Sequence, residues 1–86
     1  MVKLYKTNPV TIEAMKFNGD TFEELVEVTN GMAIKKRVRD GLVRCSIMTL
    51  EGIMEATEGD YIIKGLAGEF YPCKPSVFHE KYTEIK

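Results

Sequence analysis

Val10, Ile12 and Ala14 alternate with Thr11, Glu13 and Met15, the two-residue period of a strand with one face turned inward. Asn8-Pro9 before it marks a turn, and Asn18-Gly19 ends it. The period then changes. Phe22, Leu25, Val26 and Thr29 fall at i, i+3, i+4 and i+7, with Glu23, Glu24 and Glu27 on the other side, which predicts a short amphipathic helix. Asp20 or Thr21 is its expected N-cap, with Glu23 or Glu24 three residues on as in a capping box. Asn30-Gly31 supplies the left-handed stop at its end.

Beyond the helix the pattern reads as consecutive hairpins. Asp40-Gly41 is a strong type I′ signal between Ile34–Arg39 and Leu42–Leu50. A two-residue loop sets Arg39 opposite Leu42. It follows that Ile34–Ile47, Lys36–Cys45 and Val38–Val43 pair on the core face, and Lys35–Ser46 and Arg37–Arg44 join Arg39–Leu42 on the other. Glu51-Gly52 turns the chain into Ile53–Thr57, and Glu58-Gly59-Asp60 turns it into Tyr61–Lys64. Gly65–Gly68, taken as a four-residue loop, leads into Glu69–Cys73 and pairs Lys64 with Glu69, Ile63 with Phe70 and Ile62 with Tyr71. Pro72 confines that strand to an edge, because proline has no amide to donate. Pro75 suits a first helical turn, so Pro75–Lys81 is expected as a short helix with Val77, Phe78 and Tyr82 inward, and Thr83–Lys86 as a last strand. The fold class is therefore α+β: a mostly antiparallel, curled sheet of about four to six strands packed by one amphipathic helix, with a short C-terminal helix, in one domain spanning residues 1–86.

Composition narrows the function. With 44% hydrophobic and 29% charged residues, the chain has the balance of a folded globular domain, not of a disordered or fibrous one. Two cysteines, Cys45 and Cys73, and one histidine, His79, fall short of the four ligands of a structural zinc site. No metal or cofactor is expected. Met1–Lys6 has no apolar signal core and no run approaches the length of a membrane span, so a cytoplasmic protein with free thiols and no membrane partner is expected. The net charge of −1 conceals a local concentration. Residues 31–50 carry Lys35, Lys36, Arg37, Arg39 and Arg44 against Asp40 alone, a charge of +4, between segments of −2 (residues 1–30) and −3 (residues 51–86).

The stretch Gly59-Asp-Tyr-Ile-Ile-Lys-Gly-Leu-Ala-Gly-Glu-Phe-Tyr-Pro-Cys-Lys-Pro-Ser-Val-Phe78, ending at Tyr82, resembles a block found in small uncharacterised proteins of bacteriophages and prophages. The Pro9-Val-Thr-Ile-Glu-Ala14 start, leading into an aromatic, a glycine and a short acidic helix, is similar as well. Glu58 stands where that block often has proline, and Ser76 where it often has aspartate; Ser76 remains able to cap a helix. The resemblance implies a phage or prophage origin and carries no activity or catalytic residues with it.

Candidate chemistry is thin. Cys73, Glu69 and His79 are the one set able to imitate a nucleophile, base and orienter, and a cysteine packed as a small hydrophobe beside an exposed histidine explains them better. Gly65-x-x-Gly68 has the spacing of a KH-domain loop, but flanking strands make it a hairpin. No catalytic residue is assigned, and the protein is expected not to be an enzyme. The strongest signal is the basic hairpin face of Lys35, Arg37, Arg39 and Arg44. Arg37 directly opposite Arg44 costs about 0.2–1 kcal/mol in a sheet, which a bound anion would offset; a solvated face or a guarded edge strand explains the same residues without a ligand. The aromatic C-terminal third offers Tyr61, Tyr71 and Tyr82 as a second surface, with core packing the simpler account. Two functional readings follow: a phage accessory protein that binds a host or phage protein or a second copy of itself, as a modulator of host machinery would, and a nucleic-acid or nucleotide-binding module using the basic face.

Overall fold

The computed structural model describes residues 12–82. The expected turn at Asn8-Pro9, the start of the first strand at Val10 and the strand over Thr83–Lys86 lie outside them. In chain order the elements are β1 (Glu13–Lys16), a 3₁₀ turn (Gly19–Thr21), α1 (Phe22–Val28), β2 (Ala33–Arg39), β3 (Leu42–Thr49), β4 (Gly52–Thr57), β5 (Tyr61–Lys64), β6 (Phe70–Cys73) and α2 (Pro75–Lys81). The fold is α+β and its strands pair antiparallel. They form two three-stranded sheets, β1-β5-β6 and β2-β3-β4, where one curled sheet was expected.

The division arises at Asp60. Instead of folding β5 back onto β4, Asp60 closes the end of β4: its amide donates to the Thr57 carbonyl at 2.9 Å and its carboxylate accepts from the Thr57 amide at 2.9 Å. Its carbonyl accepts from the Phe17 amide, and the Gly59 amide donates to the Phe17 carbonyl, both at 2.8 Å, which carries the chain across to β1. With the ladder of β4 sealed at Thr57, β5 pairs with β1.

The Asp40-Gly41 turn has both residues at positive φ, 52° and 76°, as a type I′ turn requires. The pairs Arg39–Leu42, Val38–Val43, Arg37–Arg44, Lys36–Cys45 and Lys35–Ser46 form as the turn dictates. Beyond Lys35 the register shifts by one at a bulge, so that Ala33, and not Ile34, faces Ile47. Ala33 is buried and Ile34 is exposed. Val38 is also exposed, at 65%, because the hairpin tip overhangs the core. The expected core face thus holds on β3, with Cys45 and Ile47 fully buried, and fails on β2.

The β5–β6 register is also displaced by one residue from the expected one: Lys64 faces Phe70, Ile63 faces Tyr71 and Ile62 faces Pro72. Gly65 and Glu69 are still bonded (Gly65 N to Glu69 O, 2.7 Å), and the Gly68 amide donates to the Gly65 carbonyl. The loop is therefore three residues, Leu66–Gly68, with Gly68 left-handed at φ 85°, the usual geometry for a loop of that length. Lys64 meets Glu13 across β1–β5, at 3.6 Å, instead of Glu69.

Thr21, one of the two expected N-caps, precedes helix α1 but makes no side-chain capping bond to it; a 3₁₀ turn with its own cap leads into the helix. Asn18 accepts from the Asp20 amide and Thr21 Oγ1 accepts from the Asn18 amide, both at 3.0 Å, a reciprocal box that opens the 3₁₀ turn. The inward stripe of Phe22, Leu25, Val26 and Thr29 is as predicted, with Leu25 and Thr29 fully buried. Thr29 Oγ1 donates to the Leu25 carbonyl at 2.7 Å and accepts from the Ala33 amide at 3.0 Å, pinning the helix end to β2. The core joins both sheets through Phe17, Leu25, Ala33, Cys45, Ile47, Ala56, Ile62 and Phe70. In α2, Pro75 takes the first helical position as expected, but Lys74 is the N-cap and no side chain caps it. Val77 is exposed and not inward.

Candidate interaction surface

The ladder alternates side chains between an inner face, which holds the core, and an outer face. On the outer face of β2-β3-β4, Arg37 pairs with Arg44 and Lys35 with Ser46, while Ser46 pairs with Glu55 and Met48 with Ile53 on β4. Arg39 and Leu42 continue this face at the hairpin tip. Lys35, Arg37 and Arg39 are exposed and Arg44 is half-buried. Lys36 turns to the other side, its Nζ donating to the Gly19 carbonyl at 3.3 Å.

Glu55 changes the electrostatics expected of this face. Arg37 Nη2 donates to Glu55 Oε2 at 2.9 Å and Arg44 Nε lies 3.7 Å from Glu55 Oε1. One carboxylate thus bridges both guanidiniums and offsets the repulsion between them. Sequence reasoning missed Glu55 because it put the turn at Glu51-Gly52, which as a two-residue loop would set Ser46 opposite Thr57; the loop is instead Leu50-Glu51, with Thr49 opposite Gly52 and Ser46 opposite Glu55. Beside the charged cluster, Met48 (47% exposed) and Ile53 (66% exposed) form an apolar patch. Among the described residues no helix or strand lies over this face; α1 and β6 contact the sheet from the core side.

The three tyrosines have a different placement. Tyr61 stacks on Phe78 with centroids 4.0 Å apart and rings within 5° of parallel, and Phe78 leans on Tyr82 at 5.1 Å. Burial raises the Tyr71 hydroxyl above its ordinary value, and its hydrogen bond with Tyr82 adds to the shift. Ile63, 1% exposed, lies on the same sheet face. These rings hold α2 to β5 and β6, and all three tyrosines are half-buried.

Cys73, Glu69 and His79 each have a separate neighbour. Cys73 Sγ is 3.7 Å from the Lys74 carbonyl, Glu69 folds its carboxylate against Gly65 where a Cβ would collide with it, and the His79 ring sits edge-on to Tyr61 at 5.3 Å. Cys45 is buried in the core, and desolvation, with the Asp60 carboxylate adding to it, pushes its thiol up to about 11. Asp60 is itself 4% exposed and meets Lys74 Nζ at 3.4 Å, a pair that sequence reasoning did not single out. Among the described residues no three His, Cys, Asp or Glu side chains are grouped to hold a metal ion, and no helix is long and apolar enough to cross a membrane. A groove of about 370 Å³ between α1 and the β1-β5-β6 sheet is lined by Leu25, Val28, Ile62 and Phe70, with Glu24 and Lys64 at its edge. No protein-family model, curated protein or solved structure matches the chain.

Proposed function

We propose that this protein is a non-enzymatic interaction module, a phage or prophage accessory protein that docks a host or phage protein through the outer face of β2-β3-β4. The supporting observation is the composition of that face: an exposed apolar patch of Met48 and Ile53 adjoins Arg37, Arg44 and Glu55, the mixture of apolar centre and charged rim that protein interfaces use. The phage origin rests on the resemblance of the Gly59–Tyr82 block. The same basic residues make a nucleic-acid module the second reading, and it has less support, because Glu55 places a carboxylate between the two arginines a phosphate would approach.

The test is capture of an identified host or phage protein by the immobilised domain, followed by titration with purified partner. Met48→Asp and Arg37→Glu should each weaken binding at least about tenfold, while Leu66→Ser, in the β5–β6 loop, should leave it unchanged. Equal binding by all variants would remove this face from consideration. Binding to duplex DNA that weakens with salt at a slope near −0.9 per phosphate contacted, and is lost in Arg37→Glu, would establish the second reading instead.

A further inference from the structure

The edges of the two sheets are not equally protected. β2 carries Lys35, Lys36, Arg37 and Arg39 and a bulge, and β6 is short and contains Pro72, features that keep an edge from accepting another strand. β1 has four residues, two of them charged. β4 is the exception: Gly52-Ile-Met-Glu-Ala-Thr57 has no lysine, arginine or proline, and its register against β3 is unbroken.

The hydrogen bonds define which groups β4 offers. The Glu58 amide donates to the Val43 carbonyl, so the alternation of an antiparallel ladder directs the backbone groups of Ala56, Met54 and Gly52 toward β3. Those of Ile53, Glu55 and Thr57 point to the open side. At Thr57 both groups are already taken by Asp60. Among the described residues nothing bonds the remaining groups, so Ile53 and Glu55 present two amides and two carbonyls outward.

We infer that β4 pairs with β4 of a second copy of this chain, antiparallel about a two-fold axis at Met54, joining two β2-β3-β4 sheets into one of six strands. The register follows from the available groups. Centring on Ile53 sets Glu55 against the partner's Glu51, which lies in a turn. Centring on Glu55 opposes two carboxylates and needs the partner's Thr57, whose groups are occupied. Centring on Met54 pairs Ile53 with the partner's Glu55 and Glu55 with the partner's Ile53, using all four outward groups of each edge in four hydrogen bonds and leaving no like charges directly opposed. It also brings the Met48–Ile53 patches of the two copies onto one continuous face. This goes beyond the docking role proposed above, since it concerns the sheet edge and a partner identical to the chain.

Sedimentation equilibrium across micromolar to millimolar concentration should show a monomer–dimer equilibrium. Ile53→Glu, which sets a carboxylate directly opposite the partner's Glu55 in both symmetry-related pairs, should weaken it at least tenfold while the melting curve stays close to that of the parent. Directly opposed residues in a non-hydrogen-bonded pair lie about 4.5 Å apart at Cα, within disulfide range. In a Cys73→Ser background, Met54→Cys should therefore cross-link to a dimer under mild oxidation, and Leu66→Cys should not. A wild-type chain that stays monomeric to millimolar concentration overturns the inference. So does a dimer that Ile53→Glu leaves intact, or one in which Met54→Cys cross-links no faster than Leu66→Cys.

Discussion

Cys45 has no exposed surface and ionises near 11 in the fold, against about 9 for a free thiol. The folded state therefore holds a proton that the unfolded chain releases, so this contribution to stability is complete below pH 9 and is lost as pH rises from 9 through 11. Urea unfolding at pH 8 and pH 10.5 should show a smaller loss for Cys45→Ala than for the wild type. A thiol reagent at pH 8 should modify half-buried Cys73 first and reach Cys45 only on unfolding. Asp60 belongs to the same scale. Its carboxylate satisfies the Thr57 amide, so Asp60→Ala leaves that donor unpaired and should cost about 1–3 kcal/mol by chemical denaturation. Lys74→Ala removes a side chain that is 65% exposed and should cost less than about 1 kcal/mol. Comparable losses in the two variants would show that the ion pair, not the backbone contact, is what matters.

The element most open to test is the β2–β3 hairpin. Val43 packs half-buried against the core and beside Gly19, so Val43→Asp sets a carboxylate in an apolar contact with no donor and should cost at least about 2 kcal/mol. Arg44→Ser removes one arm of a solvent-exposed ion pair and also relieves Arg37, and should change stability by less than about 0.5 kcal/mol. Thermal melts with the opposite ranking would mean that the register is wrong. The β5–β6 hairpin illustrates how an element can mislead. Two glycines flanking Leu66-Ala67 and the opposite charges of Lys64 and Glu69 suggest an even loop, whereas Gly68 in the left-handed region closes an odd one. Because side chains alternate with period two, that single residue reassigns which of Ile62 and Ile63 shares a face with Phe70: Ile62 joins it in the main core, and Ile63 is buried on the other side.

At the scale of the whole molecule, packing and exposure separate the residues that hold the fold from those left on its surface. Leu25→Ala removes a fully buried side chain from the core that the two sheets share and should cost about 2–5 kcal/mol. Met48→Ser and Leu50→Ser alter exposed side chains and should stay within about 0.5 kcal/mol of the parent in denaturant melts. If Met48→Ser proved as costly as Leu25→Ala, the outer face would belong to the core and its docking role would fail.

What the sequence determined by itself is local. Asp40-Gly41 and Asn30-Gly31 dictate a turn and a helix stop because their backbone angles admit few other residues, and the stripe from Phe22 to Thr29 dictates which side of α1 is buried. The basic cluster at Lys35, Arg37, Arg39 and Arg44 is equally legible, since a strand's alternation places alternate residues on one face and the turn register places Arg44 beside them. The tertiary structure alone decided what lies next to these elements. Whether the chain beyond Asp60 returns to β4 or crosses to β1 depends on Phe17, which is 43 positions before Asp60. Whether Arg37 and Arg44 face an anion from solution or Glu55 depends on the register of a third strand. Those outcomes are competitions between distant groups for the same hydrogen-bond and ion-pair partners, and no local pattern records which of them wins.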